Sequence, residues 1–376
     1  MTRRTSAVDR ERDARFMARA LELAEKYRGR TAPNPIVGCV IVDARGEVIA
    51  EGAHKGPGTR HGEIDALAKL GNQAPGATLY VNLEPCTHHG RTPPCLPVVR
   101  DSGVARVVIG TEDPVPGHGG GIEALRRAGI SVSRALVDEC DAANLPFLTW
   151  AVHRRPAFTL KAAITLDGKI ATVKGHSKWI TGDAARADVH HLRDTHDAVL
   201  VGAGTVLADD PWLTARLPRA RDPIRIVLDS KLRTPPRAHL LPGRHGPRTI
   251  IATTEAAPAA RERALVAAGA EVWRFPARRN GQVPLDRVAR ALGEQDITSV
   301  LVEGGGEVHA SFLAYDYADQ VVIYVAPKIV GGAAKSWVGG KGVATLQAAH
   351  ALDFVGEPVQ LGPDLRVTAV RRRSGR

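Results

Sequence analysis

His61-Gly62-Glu63 and, further on, Glu84-Pro85-Cys86-Thr87-His88-His89-Gly90-Arg91-Thr92-Pro93-Pro94-Cys95 are the stretches from which the rest of the chain can be read. One histidine and two cysteines offer three N and S ligands. On a tetrahedral zinc ion that leaves one position for water, the arrangement of a catalytic site. Zinc lowers the pKa of such a water toward neutrality. Hydrolytic attack on an amidine-like ring carbon also needs a carrier that takes a proton to the departing ammonia, and Glu63 is the candidate. Residues two apart do not share a helix face, so His61 and Glu63 belong at a helix entrance. A lone H-x-E is commonplace, and two cysteines nine apart are more often structural or incidental. The zinc reading rests on their joint occurrence at helix starts after successive expected strands.

Working outward, Phe16, Ala20, Leu23 and Met17, Leu21, Ala24 recur at helical spacing. Two apolar runs, 36–42 and 48–53, read as a hairpin. The pattern then predicts a helix over 62–70, a strand over 78–83, a helix near Leu96, a strand over 105–109, a short helix after the glycines of 117–121 and a strand over 130–132. Charge and a proline interrupt it at His153-Arg154-Arg155-Pro156. Beyond that point strands are expected at 158–164, 198–201, 224–228, 249–253, 300–302 and 321–325, with helices over 183–192 and 259–268. A chain of 376 residues exceeds one core. The expectation is α/β throughout, with domains 1–153 and 154–376.

Composition narrows the class. No apolar run approaches the roughly 20 residues of a membrane helix. The segment 1–15 lacks the apolar core of a signal peptide, so the cytoplasm is the expected location. Four cysteines in such a chain do not suggest a disulfide scaffold. Cys39, inside an apolar strand, reads as a core thiol, and Cys140 receives no role. The net charge of +11 invites a nucleic-acid partner. However, Arg3, Arg4, Arg371, Arg372, Arg373 and Arg376 fall in termini that read as disordered, and the other basic residues are dispersed. The competing reading, a nucleic-acid-editing deaminase with an appended binding domain, would need a basic groove with interleaved aromatics. The second half shows none, so neither nucleic acid nor membrane is expected as a partner.

The second half carries less overt chemistry. The run 300–302 reads as a buried strand ending in Gly304-Gly305-Gly306, a turn through which backbone N–H groups approach a phosphate where a Cβ would obstruct. Gly202-Ala203-Gly204-Thr205 also follows a strand but is not a full dinucleotide fingerprint. Arg193 and Arg216 have guanidinium forks suited to a sugar phosphate. Lys231 and Arg233 are basic residues suited to a further phosphate. His190 and His191, on an expected helix, read as surface residues.

These residues carry a resemblance. The zinc nucleobase deaminase signature H-x-E…P-C-x-x-C is present with a longer loop between the cysteines. With Thr31-Ala32-Pro33-Asn34-Pro35-Ile36-Val37-Gly38, KAAITLDGKIA (161–171), SKWIT (177–181), VGAGTVLADDPWLTARL (201–217), Glu303 to Gly306 and Ala326-Pro327-Lys328, the chain resembles the bifunctional deaminase/reductases of riboflavin biosynthesis over nearly its whole length. The resemblance implies a cytidine-deaminase-like α/β domain followed by a dihydrofolate-reductase-like α/β domain. The implied reactions are deamination of a phosphorylated aminopyrimidine, then NADPH-dependent reduction of its ribosyl group. It places zinc on His61, Cys86 and Cys95 and the proton shuttle on Glu63, with Asn34, His88, Arg91 and Asp113 on that substrate. In the reductase it places Ala163, Trp179, Thr205, Asp209, Ser230 and the 305–311 segment (Gly305 and Gly306 foremost) on the cofactor. Ser177, Arg193, Leu213, Arg216 and Glu303 fall on the substrate, and Asp209 is a candidate participant in proton transfer. A homo-oligomer is compatible with all of this. The chain departs from the family pattern in three places: Gly62 replaces alanine, Val115 replaces the asparagine of Asp-Pro-Asn-Pro, and the following glycine stretch is one residue short. A lost polar substrate contact is expected at Val115.

Overall fold

In the computed structural model, which describes residues 7–241, 243 and 246–372, the chain divides into two units that meet between Arg154 and Arg155. The first runs α1 (Ala7–Glu25), β1 (Gly38–Val42), β2 (Val48–Ala53), α2 (Gly62–Ala68), β3 (Thr78–Leu83), α3 (Cys95–Asp101), β4 (Arg106–Thr111), α4 (Gly121–Arg127), β5 (Ser131–Arg134), α5 (Val137–Ala143) and α6 (Leu145–His153). Its sheet has the order β2-β1-β3-β4-β5. The expected hairpin is present, β1 is antiparallel to both its neighbours, and β3, β4 and β5 are parallel.

Alternation within the strands makes two apolar faces. Cys39, Ile41, Leu79, Val81, Val107 and Ile109 pack with residues of α2, α3, α4 and α6. Val40, Val42, Tyr80 and Val108 meet Phe16, Met17, Ala20 and Leu23 of α1 and Cys140 of α5. Ile36 and Val37, expected in the first strand, precede it. The backbone of Ile36 is held instead by side chains: its N–H donates to Asn144 Oδ1 at 2.9 Å, and its carbonyl accepts from Asn82 and Asn144 Nδ2, both at 3.0 Å. Two buried asparagines thus anchor the stretch that carries Asn34. The sequence reading had no element for α5 or α6, two short helices separated only by Asn144.

The second unit runs β6 (Ala157–Thr165), β7 (Lys169–Ala171), α7 (Asp183–Thr195), β8 (Ala198–Gly202), α8 (Ala203–Asp209), β9 (Ile224–Leu228), β10 (Thr249–Thr254), α9 (Ala259–Ala267), β11 (Glu271–Phe275), α10 (Leu285–Glu294), β12 (Ser299–Val302), α11 (Gly306–Ala314), β13 (Gln320–Ala326), β14 (Lys335–Ser336), β15 (Leu352–Phe354), β16 (Val359–Leu361) and β17 (Asp364–Arg371). The main sheet has the order β11-β10-β9-β8-β12-β6-β13-β17-β15, parallel from β11 to β13. Strands covered on both faces read as continuous apolar runs, as these do. Helices α10 and α11 pack on one face, α8 and α9 on the other, and α7 against Val322 and Tyr324.

The carboxyl-terminal strands correct the sequence reading. β17 pairs antiparallel with β13 through six residue pairs from Gln320–Val370 to Val325–Leu365. Arg371, expected in a disordered terminus, is the last residue of that strand and ion-pairs with Asp316, while Arg372 pairs with Asp353 at 2.8 Å. Long-range pairing orders a stretch whose composition alone reads as a tail. Arg3, Arg4, Arg373 and Arg376 lie outside the described residues. Among the described residues no helix is long and apolar enough to cross a membrane.

Gly38 tests the layer packing. A Cβ there would run into the backbone oxygen of Ala20 in α1 and stand 2.9 Å from Ala24 N. Backbone on a packed helix cannot give way cheaply, so Gly38→Ala should lower the stability of the first unit by about 1–3 kcal/mol. Thermal unfolding followed by far-ultraviolet circular dichroism would show it; an unchanged midpoint would mean α1 is free to shift.

Candidate functional site

Three helix entrances and strand ends converge in the first unit. His61 is the extended residue before α2, Cys95 opens α3, and Cys86 lies three residues beyond the end of β3. His61 Nδ1 stands 3.5 Å from Cys86 Sγ and 3.2 Å from Cys95 Sγ. All three ligand atoms fall within 4.8 Å of one another, a donor set and spacing that fit one tetrahedral zinc ion. The backbone N–H of Cys95 donates to Cys86 Sγ at 3.3 Å. The hydrogen bond from the Cys95 thiol, aided by His61, pulls the Cys86 thiol down to about 4, the thiolate form a metal requires. On its far side, His61 Nε2 meets Thr92 Oγ1 at 3.3 Å, which leaves Nδ1 for the metal.

Glu63 is 2% exposed, and its Oε2 has no hydrogen-bond partner. Burial pushes its carboxyl up to about 7. Gly62 is tightly fitted: a Cβ there would stand 3.0 Å from Val37 O, so the glycine suits the close approach of this helix start. Cys39 and Cys140 are fully buried in the two apolar clusters.

The expected substrate contacts of this unit fall around the same triad. Asn34 Nδ2 donates at 3.1 Å to Nε2 of His54, whose Nδ1 donates at 3.2 Å to Arg60 O. Burial lowers the pKa of His54, so a neutral ring makes both bonds, and its edge meets His61 at 5.2 Å. His88 stacks on His118, Arg91 is exposed on the cysteine loop, and burial raises the Asp113 carboxyl. Val115 points into the apolar cluster. The sequence reading missed His54, Thr92 and His118, which form no pattern, and the role of Glu84. Glu84 Oε1 accepts from Gly120 N and Ile122 N, and Oε2 from Asp113 N, at 2.9–3.1 Å.

In the second unit a cleft of about 1550 Å³ is bordered by Ala163, Ser177, Trp179, Arg193, Thr205, Asp209, Leu213, Arg216, Ser230, Glu303, Gly305 and Gly306. That size suits a dinucleotide together with a second ligand. A Cβ at Gly304 would strike Val308, and one at Gly306 would stand 2.7 Å from Ser336 O. At Gly305 and Gly204 it would meet no protein atom within 4 Å, so both glycines border open space where a phosphate-bearing cofactor can approach. The crowding expected of the turn thus comes from the protein at its flanks and is absent at its centre. Leu213 keeps its side chain in the apolar core, leaving only its edge to the cleft.

Arg193 sits in an ion-pair cluster at the cleft. Its fork is taken by Glu303, Nε to Oε1 at 2.6 Å and Nη2 to Oε2 at 3.0 Å, while Nη1 donates to Thr214 O. Arg193 and Glu303 border the cleft as this pair, and Arg216 borders it exposed. Lys161 Nζ stands 3.6 Å from Glu303 Oε2 on the other side. Burial would raise the Glu303 carboxyl, but the two cations outweigh it and hold it at about 2. Lys161 was legible as the one charge inside the apolar run 158–164, yet went unused. Arg278 was missed too; it borders the cleft with Lys231 and Arg233, on a loop tied to Ser230 Oγ through Val283 N–H at 3.1 Å. His191 is exposed as expected, whereas His190 is half-buried beside the cleft, with Nδ1 3.2 Å from Thr214 O.

Two families of known proteins match separate parts of the chain. Residues 10–111 match the cytidine and deoxycytidylate deaminase zinc-binding region, and 156–357 match the RibD C-terminal domain. Riboflavin biosynthesis protein RibD of Actinobacillus pleuropneumoniae is 43% identical, covering 93% of this chain and 94% of that relative. The Escherichia coli K12 protein of the same name is 38% identical, covering 94% and 98%. The crystal structure of a diaminohydroxyphosphoribosylaminopyrimidine deaminase/5-amino-6-(5-phosphoribosylamino)uracil reductase from Thermotoga maritima superposes with a TM-score of 0.80 at 38% identity, covering 96% of this chain and 99% of that one. Acinetobacter baumannii RibD gives 0.81 at 34% identity, with the same coverage.

The Glu303 cluster allows a stability test. Glu303→Ala would leave Arg193 and Lys161 buried and unpaired, and should destabilise the second unit by about 3–5 kcal/mol. Guanidinium unfolding followed by tryptophan fluorescence reads this unit, since Trp179, Trp212, Trp273 and Trp337 lie in it. A loss under about 1 kcal/mol would mean that water replaces the carboxylate.

Proposed function

The chain belongs to the RibD family of bifunctional riboflavin-biosynthesis proteins, and on that premise we propose how its residues share the two reactions. It deaminates 2,5-diamino-6-ribosylamino-4(3H)-pyrimidinone 5′-phosphate with zinc and reduces the ribosyl side chain with NADPH, giving 5-amino-6-ribitylamino-uracil 5′-phosphate. Residues 1–153 carry the first step and 154–376 the second. The observation that carries this reading is the convergence of His61, Cys86 and Cys95 beside a buried glutamate with a free oxygen. We place the enzyme in the cytoplasm, where both of its charged small molecules are available.

In the deaminase, His61, Cys86 and Cys95 hold zinc, which when bound supplies the Lewis acidity that makes water nucleophilic near neutral pH. Glu63 accepts a proton from water at Oε2 and delivers it to the departing amino nitrogen, and its burial favours the protonated form between the two transfers. Asn34, His88 and Asp113 orient the pyrimidine, while exposed Arg91 suits the 5′-phosphate.

In the reductase, NADPH when bound supplies the hydride for C1′ of the ring-opened ribosyl imine. Ala163, Trp179, Thr205, Asp209, Ser230 and the Gly305-Gly306 turn hold it. Ser177, Arg193, Leu213, Arg216 and Glu303 face the substrate, Arg193 and Glu303 as an ion pair. Lys231, Arg233 and Arg278 gather positive charge where a 2′-phosphate distinguishes NADPH from NADH.

Two experiments test the assignment. Cys95→Ala should lose most of the roughly one zinc per chain and all ammonia release, whereas Glu63→Gln should keep the metal and lose deamination by at least about 10²-fold. Both should still reduce an already deaminated substrate; full zinc in Cys95→Ala would overturn the ligand set. In the second unit Gly305→Val adds bulk only toward the open cleft, so it should fold yet bind NADPH poorly. Replacing Lys231 and Arg233 with Ala should cost about 1–2 kcal/mol of NADPH over NADH preference. Cofactor titration by fluorescence checks both, and an unchanged preference would exclude the basic pair.

A further inference from the structure

His88 and His118 lie face to face, ring centroids 3.4 Å apart and planes within 12°. His88 follows the metal-facing Cys86 by two residues, and His118 comes from the separate loop between β4 and α4. That loop is fastened to the cysteine loop by backbone and side chain alike. Thr87 N–H and Oγ1 both donate to His118 O, at 3.1 and 2.8 Å, and Thr87 Oγ1 also reaches Gly119 O. Glu84 grips the same loop through the N–H groups of Asp113, Gly120 and Ile122. The loop turns on Gly117 and Gly120, at φ +82° and +93°.

These fastenings hold the His118 ring at one place, where it covers one face of His88. A covered imidazole cannot swing without losing its stack, so its edge is presented in one direction. That edge carries a buried Nδ1 with no hydrogen-bond partner in the protein. A buried polar atom without a protein partner takes one from ordered water or from a ligand, and beside a metal triad a bound pyrimidine is within reach of that role. Val115, on the same loop, is turned into the apolar cluster and contributes no polar group.

We propose that His118 is a positioning residue for deamination: by stacking on His88 it fixes the direction in which His88 Nδ1 meets the pyrimidine. The inference rests on the deaminase reading of the first unit. It requires a flat ring at position 118 and no hydrogen bond from it.

The test uses the full-length zinc-loaded protein and ammonia release from the diaminopyrimidine ribosyl phosphate, with zinc content and melting temperature measured alongside. His118→Ala should raise KM by about five- to tenfold with a smaller fall in kcat, at unchanged zinc content. His118→Phe, which keeps a stacking ring and cannot hydrogen-bond, should restore KM to within about twofold. Wild-type KM in His118→Ala overturns the proposal. So does impairment of His118→Phe equal to that of His118→Ala, or rescue by His118→Gln instead. Should His118→Ala fail to fold, the comparison of His118→Phe with His118→Gln decides. A wild-type protein that released no ammonia would overturn the deaminase reading itself, an outcome distinct from all of these.

Discussion

A parallel strand cannot return by a tight turn, so each one delivers the chain to the same edge of the sheet, where a helix or loop begins with unpaired N–H groups. Both sites of this protein sit at such edges. In the first unit β3 leads to Cys86, and β4 leads to Asp113 and the loop bearing His118. In the second, β8 leads to Thr205, β9 to Ser230, and β12 to Glu303 and the glycine turn. The side chains that do chemistry are therefore drawn from distant parts of the chain by one topological rule, on elements too well packed to drift.

Buried carboxylates divide by their partners. Glu84 has three backbone N–H donors and organises a loop. Glu303 has two cations and remains ionised despite burial. Glu63 keeps an oxygen without any partner and is raised to about 7. The same functional group thus becomes a brace, a fixed charge or a carboxyl raised toward neutrality according to what faces it. Arg193 shows the converse: its fork is held by a carboxylate at the border of the cleft.

Much was legible where local rules operate. The hairpin, the strand at 78–83, the metal ligands and the helix starts follow from apolar periodicity and donor chemistry, which depend on neighbouring residues. Where distant residues decide, the reading failed. Arg371 is ordered because β17 finds β13, and no local pattern announces that pairing. Helices α5 and α6 are short enough that packing against the sheet, not their own period, makes them helical.

The donor set at His61, Cys86 and Cys95, the candidacy of Glu63 as proton carrier and the family were legible in the sequence alone, because residue type and spacing already specify what can bind a tetrahedral ion. Tertiary structure decided which of the remaining polar groups are free. The places of His54, Lys161 and His118, and the pairing of Arg193 with Glu303, emerge only once burial removes water and each group must take whichever partner the fold brings within reach.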